Sequence, residues 1–313
     1  MSDREIGFRM DFETKVVSFD EKTGTVVFEF IPNPRRYEWK MIDGKRCLYD
    51  KLDNICFSEE VFSQLADKLA GMPIYYERQE IGNAGQYVEN RKIAIKTMIR
   101  ENQKITTYED KSEAFLKSLE KDKLAFVIMC VDIAGSTNLS TSLNPTKYAK
   151  LISTTLYEIS EIIPKFHGHV LKYTGDGLIA YFPEPSFISK NDLAMDCALT
   201  IRRLIYHGLN LILESENYPR IDIRIGLDSG EACIIAIGSP ETKQHKDIIG
   251  KVVSLASKIQ TKGKPGDILL GDVTERNLHT MWREICEPVK LGEDWRYKGE
   301  DGRPYKVHMV KFR

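Results

Sequence analysis

The sequence predicts an α+β fold in which helices pack on one face of a mostly antiparallel sheet, preceded by a small, β-rich N-terminal domain. From Leu124 to the C-terminus, short apolar runs typical of strands alternate with longer amphipathic segments typical of helices. The glycine-containing turn Thr174–Gly177 joins two of these strands as a hairpin, so the sheet cannot be wholly parallel. The resulting order βαββαβ is the ferredoxin-like arrangement.

The composition is that of an ordinary globular protein. The 313 residues are 42% hydrophobic and 29% charged, with a net charge of −1, which argues against a protein that coats nucleic acid. The longest apolar run, Leu124–Val131, is eight residues long and too short to span a bilayer. The first residues contain no apolar signal segment. The six cysteines lack metal-binding spacing, so we expect reduced core thiols and a cytoplasmic location.

The N-terminal part divides into an accessory domain over residues 1–105 and a helical linker over residues 106–123. Alternating apolar residues predict a hairpin over Lys15–Phe30 and further strands within Tyr37–Phe57. Ser58 is a candidate N-cap for an amphipathic helix that ends at Gly71. Two charged helices follow, at Tyr87–Asn102 and Lys111–Lys123. The second is a linker or a dimer contact, or equally a plain solvated helix.

Residues 124–313 form the predicted catalytic domain. Its strands are expected at Leu124–Asp132, His169–Tyr173, Leu178–Phe182, Ile221–Asp228, Glu231–Ile237 and Asp267–Leu270, with a C-terminal β pair. Its helices are expected at Thr146–Phe166, Asp192–Ser215 and Lys251–Thr261.

Two aspartates stand at the ends of apolar strands, each beside a glycine-bearing turn. Asp132 lies in FVIMCVDIAGST and Asp176 in VLKYTGDGLIAYF. Two converging carboxylates beside small turns with free backbone N–H groups suit a magnesium-bound triphosphate. Taken singly, Asp132 could be a helix N-cap and Asp176 part of an ordinary hairpin turn.

These segments resemble the catalytic domain of the class III nucleotide cyclases, the adenylate and guanylate cyclase family. Asp132–Thr137 is similar to the family's first metal-binding motif, and Lys172–Gly177 matches its K-x-x-G-D-G hairpin. The two aspartates are 44 residues apart, as is usual in the family. Arg224–Gly230 matches the R-x-G-x-x-x-G segment, and Asp247–Gly250 occupies the segment that closes the base pocket.

The resemblance implies cyclisation of a nucleoside triphosphate by attack of its 3′-hydroxyl on its own α-phosphate, with release of pyrophosphate. It implies two divalent ions, Mg²⁺ or Mn²⁺, held by Asp132, Asp176 and the carbonyl of Ile133. The residues expected to contact the polyphosphate are Gly135, Ser136, Thr137, Arg224 and Lys298. A solvated loop lysine is an equally good interpretation of Lys298.

Lys172 and Asp247 offer the donor and acceptor that an adenine edge requires, as in the family's adenylate cyclases. A guanylate cyclase usually carries a glutamate and a small polar residue at these positions. Tyr173 could reduce the volume of the base pocket, although a core tyrosine is the more ordinary interpretation.

Two positions depart from the family pattern. An asparagine that positions the ribose is replaced by Ser254, and an arginine that stabilises the transition state is replaced by Lys258. Serine is shorter and would act through water. Lysine keeps the charge but cannot form a bidentate fork.

These departures leave alternatives to ATP as substrate. Stand-alone cyclases with divergent base pockets resemble the pyrimidine cyclases of Pycsar antiphage defence, which make cyclic CMP or cyclic UMP as a second messenger for a downstream effector. A degenerate nucleotide-binding domain without turnover is a further alternative. The family resemblance implies a head-to-tail homodimer whose two sites are each built from both protomers. The charge balance and the short apolar runs predict neither nucleic acid nor a membrane as a partner.

Overall fold

The computed structural model describes residues 9–22, 25–61, 79–101, 110–119, 123–183, 190–299 and 302–312. The chain forms two compact units: Met1–Tyr76 with His279–Glu284, and Glu77–Leu278 with Ile285–Arg313. The larger unit therefore begins well before Leu124, where the predicted catalytic domain starts. The helix predicted to end at Gly71 lies outside the described residues beyond Val61.

The smaller unit is β-rich, as the sequence predicts. Strands β1 (Phe12–Asp20) and β2 (Thr25–Pro32) form an antiparallel hairpin. Strands β3 (Tyr37–Ile42), β4 (Lys45–Asp50) and β5 (Ile55–Ser58) form a three-stranded antiparallel sheet.

A disulfide joins Cys47 on β4 to Cys56 on β5, with 5.9 Å between their Cα atoms. The expectation that all six cysteines are reduced core thiols is therefore wrong for this pair. The antiparallel pairing of β4 and β5 places them on neighbouring strands, a relationship that spacing alone does not reveal. Cys130 and Cys197 are buried free thiols, as expected, whereas Cys233 is an exposed free thiol.

The larger unit contains a mixed sheet that, within the described residues, has the order β12-β13-β11-β9-β6-β8-β7, with β10 paired to β9. Its strands are β6 (Lys123–Ala134), β7 (His169–Tyr173), β8 (Gly177–Phe182), β9 (Asp222–Ser239), β10 (Lys243–Ile249), β11 (Ile268–Gly271), β12 (Cys286–Pro288) and β13 (Val307–Val310). Most neighbours are antiparallel; β11 and β9 are parallel.

The helices of the larger unit include α1 (Ala84–Arg100), α2 (Lys111–Ser118), α3 (Ser136–Ser142), α4 (Pro145–Ile162), α5 (Lys190–Leu204), α6 (Asn210–Ser215), α7 (Lys251–Lys262) and α8 (Asp272–Arg276). A short helix in the smaller unit, α9, spans Thr280–Arg283. A π-helical turn, Ile205–Leu209, joins α5 to α6 and makes one nearly continuous helix, as the sequence predicts.

Helices cover both faces of the sheet, so the expectation of one covered face is wrong. On β6, Phe126, Ile128 and Cys130 share a buried cluster with Leu116 of α2 and Val252 of α7. The alternate residues of β6 are also buried, and they face the other side, where α5 packs against β6, β8 and β9. Asp132 lies two residues after Cys130 on β6, so its side chain points to the same face of the sheet, towards α7.

Two further differences from the prediction concern strands β9 and β10, near the predicted base pocket. Ile221–Asp228 and Glu231–Ile237 were predicted as separate strands, but β9 continues through Ser229 and Gly230. Both residues stay in register with β6, so Gly230 is a strand glycine and not a turn. The strand β10 was not predicted; it forms by antiparallel pairing with the second half of β9.

Among the described residues, no helix has the combination of length and apolar character that crossing a bilayer requires.

Candidate active site

The two aspartates of the predicted metal site lie at the same end of neighbouring strands. Asp132 is in register with Gly177, the residue after Asp176. The N–H of Ile133 donates to the carbonyl of Asp176 over 3.3 Å. A Cβ on Gly177 would overlap the carbonyl oxygen of Val131, so only glycine allows this close approach. The sequence prediction that both carboxylates reach one end of the sheet is consistent with this arrangement.

One oxygen of the Asp132 carboxylate has two donors. Its Oδ2 accepts a hydrogen bond of 2.5 Å from Arg224 Nη2 and one of 3.3 Å from Gln260 Nε2. Arg224 lies directly across from Asp132 in the β6–β9 register. The sequence suggested that Arg224 points at a polyphosphate, whereas here its guanidinium forms an ion pair with Asp132.

The donor set at this end of the sheet fits a hard divalent cation. Asp132, Asp176 and the Ile133 carbonyl supply only oxygen atoms, which Mg²⁺ and Mn²⁺ prefer. Both hydrogen bonds that described residues donate to the Asp132 side chain go to Oδ2, so its Oδ1 is the oxygen that remains for a cation. In the described part of the chain, no group of three His, Cys, Asp or Glu side chains is arranged to hold a metal. An ion here would therefore share protein oxygens with water and substrate oxygens, which suits Mg²⁺.

The predicted phosphate-binding turn follows the first aspartate directly. Gly135 has φ +72°, in the left-handed region that favours glycine, and it caps the start of α3 without a side-chain hydrogen bond. Ser136 and Thr137 form the first residues of that short helix. Gly175, in the second turn, also has a positive φ of +89°. The turn after Asp132 and the turn before Asp176 thus each contain a glycine in a backbone conformation that other residues rarely adopt.

The predicted base-contacting residues form a second cluster. Lys172 on β7 and Asp247 on β10 are joined by an ion pair of 2.5 Å between Nζ and Oδ2. The Lys172 side chain is 41% exposed and that of Asp247 only 6%. The other oxygen of Asp247 accepts a hydrogen bond from the N–H of Ile248. The structure thus brings together two residues that are 75 positions apart in the chain.

Tyr173 follows Lys172 and is 54% exposed, so a core position for this tyrosine is wrong. Because neighbouring residues of a strand alternate, Lys172 and Tyr173 point to opposite faces of β7.

The two positions that depart from the family pattern lie on the outer face of α7. Ser254 and Lys258 are exposed, and their spacing places them on the same side of the helix. Lys258 lines an open cavity of about 200 Å³ together with Thr261, Lys262, Asp294, Trp295 and Tyr297. Among the described residues, no hydrogen bond or ion pair links Ser254 or Lys258 to Asp132. The structure thus does not bring Ser254 and Lys258 to the Asp132 carboxylate of the same chain.

Lys298 lies in a loop near the start of α7. It forms an isolated β-bridge with Pro304, and its carbonyl accepts a hydrogen bond of 2.8 Å from Lys251 Nζ. The Lys298 side chain is exposed, which is compatible with either interpretation of this residue.

A buried carboxylic acid lies on β9 outside the predicted site. Asp228 is 1% exposed and accepts a hydrogen bond of 2.6 Å from the Tyr305 hydroxyl, which itself accepts one from the Val273 N–H. Burial raises the pKa of Asp228 to about 7, although the hydrogen bonds that its carboxylate accepts from Tyr305 and from the Ser229 N–H oppose the shift. Asp228 therefore carries a proton over much of the acidic range in the folded protein.

Gln260 contacts this site but is not among the residues predicted from the sequence. The sequence does contain a feature that marks this residue. Gln260 is polar but lies one turn after Ala256 on the apolar face of α7, where Val252 and Ile259 are also buried. Its hydrogen bond to Asp132 spans 128 positions and required the structure.

The fold and the carboxylate pair together define a nucleotide cyclase catalytic domain. The family model described as "Adenylate and Guanylate cyclase catalytic domain" matches residues 120–301. The chain belongs to this family, the class III nucleotide cyclases.

Curated relatives carry several nucleotide specificities. The chain is 31% identical over 195 residues to adenylate cyclase type 10 of Oryctolagus cuniculus, covering 59% of this chain and 11% of that protein. It is 26% identical over 199 residues to a cytidylate cyclase of Escherichia coli, covering 59% and 43%. It is 27% identical over 172 residues to a uridylate cyclase of Treponema porcinum, covering 53% and 59%. The chain thus spans less than two thirds of the length of each of these relatives.

Solved structures share the fold. The adenylyl cyclase CyaB from P. aeruginosa superimposes with a TM-score of 0.53 at 23% identity, covering 62% of this chain and 97% of that one. The guanylyl cyclase Cya2 gives a TM-score of 0.53 at 20% identity, covering 61% and 94%. The accessory strands β1–β5 lie outside the residues that the family model matches.

Proposed function

We propose that the protein converts a nucleoside triphosphate to a 3′,5′-cyclic nucleotide and pyrophosphate. The observation that carries this proposal is the convergence of Asp132 and Asp176 at one end of the sheet, within a domain of the cyclase family. The purified protein should form cyclic product and pyrophosphate in equal amounts when given nucleotide and Mn²⁺.

Asp132 and Asp176, with the Ile133 carbonyl, would hold two divalent ions. Bound ions would supply a lower pKa for the attacking 3′-hydroxyl and charge neutralisation for the leaving pyrophosphate. Arg224 keeps the Asp132 carboxylate paired and adds positive charge beside the polyphosphate. Gly135, Ser136 and Thr137 would cradle the phosphates through backbone N–H groups, and Lys298 would add a cation.

Between the purine nucleotides, ATP is the substrate that the base cluster favours. In adenine, N6 is a donor and N1 is an acceptor, so the edge needs one acceptor and one donor from the protein. The ion pair between Lys172 and Asp247 holds such a donor and acceptor side by side. Tyr173, exposed on the next strand position, is available to contact a nucleotide or a second subunit.

The active unit would be a homodimer with two shared sites. Ser254 and Lys258 are exposed on α7, and within the described part of the chain neither forms a hydrogen bond or ion pair with the Asp132 carboxylate. In a head-to-tail dimer these side chains would reach the nucleotide held by the partner's aspartates. Ser254 would orient the ribose through water, and Lys258 would stabilise charge on the α-phosphate.

A pyrimidine nucleotide is the second candidate substrate. Two observations favour it: Ser254 and Lys258 replace the usual family residues, and cytidylate and uridylate cyclases are among the relatives. Cyclic CMP or cyclic UMP would then act as a second messenger on a separate effector in antiphage defence. Separation of the products formed from ATP and CTP distinguishes the two candidates.

A domain that binds nucleotide without turnover is the alternative from another class. It predicts binding of nucleotide by calorimetry with no cyclic product from any base. The intact pair of aspartates argues against it, because both carboxylates that would hold the catalytic ions are retained.

A further inference from the structure

We propose that Gln260 is a positioning residue that orients the metal-binding carboxylate of Asp132. This inference rests on the proposed function, because it assigns a role at the same site. It begins from the hydrogen bond of 3.3 Å between Gln260 Nε2 and Asp132 Oδ2.

The backbone of Gln260 is held in a fixed place by close packing of α7 on β9. A Cβ on Gly226 would lie 2.5 Å from the carbonyl oxygen of Ala256 and 2.5 Å from the backbone nitrogen of Gln260. Such distances are too short for any side chain, so glycine at position 226 lets the helix approach the strand directly. The starting point of the Gln260 side chain is therefore fixed relative to β9.

The length of the side chain then determines its reach. Gln260 is 6% exposed, and its amide lies between the helix and the sheet. From a fixed backbone, a glutamine reaches the Asp132 carboxylate, whereas an asparagine is shorter by one methylene group. The geometry thus requires both the amide donor and its distance from the backbone.

Two donors on one oxygen determine which oxygen is left for the cation. Arg224 Nη2 and Gln260 Nε2 both bond to Asp132 Oδ2, so the carboxylate cannot rotate without breaking both bonds. Oδ1 is then presented away from them. Because the glutamine is neutral, it adds orientation without adding charge that would repel the ion.

A direct metal-binding measurement tests this role independently of turnover. Mn²⁺ alone is titrated into the full-length protein, and free Mn²⁺ is followed by electron paramagnetic resonance. We expect Gln260→Met, which keeps the length without a donor, to weaken Mn²⁺ binding roughly 10-fold. The matched control is Gln86→Met, on the exposed side of α1 in the same unit, and it should bind Mn²⁺ as the wild type does.

The variant Gln260→Asn tests whether Mn²⁺ binding needs the Asp132 carboxylate to be oriented by a side chain of this length, or needs only a buried amide at position 260. It keeps a polar side chain in the helix, so it also serves if the methionine variant does not fold. We expect Mn²⁺ affinity to fall as in Gln260→Met, with thermal unfolding of the metal-free protein within a few degrees of the wild type. Wild-type Mn²⁺ affinity in Gln260→Asn would overturn the proposal. Failure of the wild type to form any cyclic product would instead count against the proposed function, since the Mn²⁺ titration does not depend on turnover.

Discussion

The ammonium group of Lys172 lies 2.5 Å from Oδ2 of Asp247, although the two residues come from strands β7 and β10. Asp247 is the buried partner, and a backbone N–H fixes its second oxygen. The pair is therefore arranged before any nucleotide binds. A preformed donor and acceptor select a base edge with an amino donor beside a ring-nitrogen acceptor, as in adenine and cytosine, because a guanine or uracil edge would leave a buried polar group without its partner.

Replacement of Lys172 should change base selectivity more than it changes the rate of the chemistry. For Lys172→Met we expect kcat/KM for ATP to fall about 10- to 100-fold, mainly through KM, because the donor to the base is lost. Lys264→Met removes an exposed lysine on a loop of the same unit and should leave the kinetics unchanged. Equal kinetics of Lys172→Met and wild type with every nucleotide would remove Lys172 from the base pocket.

The substitution at position 258 can be tested by reversal. Lys258→Arg restores a planar fork that can donate two hydrogen bonds to phosphate, so we expect kcat with ATP to rise about 10-fold or more. Lys264→Arg, on the exposed loop that follows α7, is the matched control for the added guanidinium. No rise in kcat with ATP, accompanied by lower turnover of CTP or UTP, would indicate that the lysine belongs to a reshaped pyrimidine site.

Mixing two inactive variants tests the shared site. Asp132→Ala should lack the metal site, and Lys258→Ala should lack the cation on α7. In a head-to-tail heterodimer, one of the two sites contains both intact residues, so we expect mixing to recover up to about a quarter of wild-type activity under random assortment. Activity assays of each variant alone and of the mixture provide the comparison. Absence of recovery, with dimers verified by light scattering, would contradict a site shared between protomers.

The buried acid at position 228 makes stability depend on pH. Burial raises the pKa of Asp228 to about 7 in the folded protein, from an ordinary value of 3.8. The folded state therefore keeps a proton that the unfolded chain releases, and the free energy of unfolding falls as pH rises from about 4 to about 7.

Asp228→Asn should remove this contribution, because an amide keeps the acceptor for Tyr305 and does not ionise. Urea unfolding at several pH values should show that the free energy of unfolding of the variant, relative to that of the wild type, increases by a few kcal/mol, to order of magnitude, between pH 4 and pH 8. Asp196, whose pKa is also raised to about 7 by burial, is present in both proteins and cancels in the difference. Parallel pH profiles for the two proteins would disprove the assignment to Asp228.

The strands that carry the two aspartates could be predicted because their signals are local. Apolar runs and glycine turns define β6, β7 and β8 within a few residues. The predicted break in β9 was wrong because Ser229 and Gly230 look like a turn in sequence. In the structure, Ser229 is buried and hydrogen-bonded to Asn191, so tertiary contacts override the local signal.

Contacts between distant segments could not be predicted from the pattern. The ion pair between Arg224 and Asp132 depends on the register of β6 against β9, and the hydrogen bond from Gln260 depends on how closely α7 packs on Gly226. The disulfide between Cys47 and Cys56 depends on the pairing of β4 with β5. Each relationship follows from packing, which sequence periodicity does not specify.

The most direct test of the central claim is incubation of the protein with ATP, GTP, CTP and UTP separately, with Mn²⁺, followed by chromatography of the products. We expect cyclic nucleotide and pyrophosphate in equal amounts, with ATP the best substrate. In Asp176→Asn the activity should fall at least 10³-fold without loss of fold, because one metal ligand is weakened. The matched control Glu89→Gln, on the exposed side of α1, should be fully active. Binding of nucleotide without cyclic product from any of the four would contradict the assignment of Asp132 and Asp176 as the metal site of a cyclase.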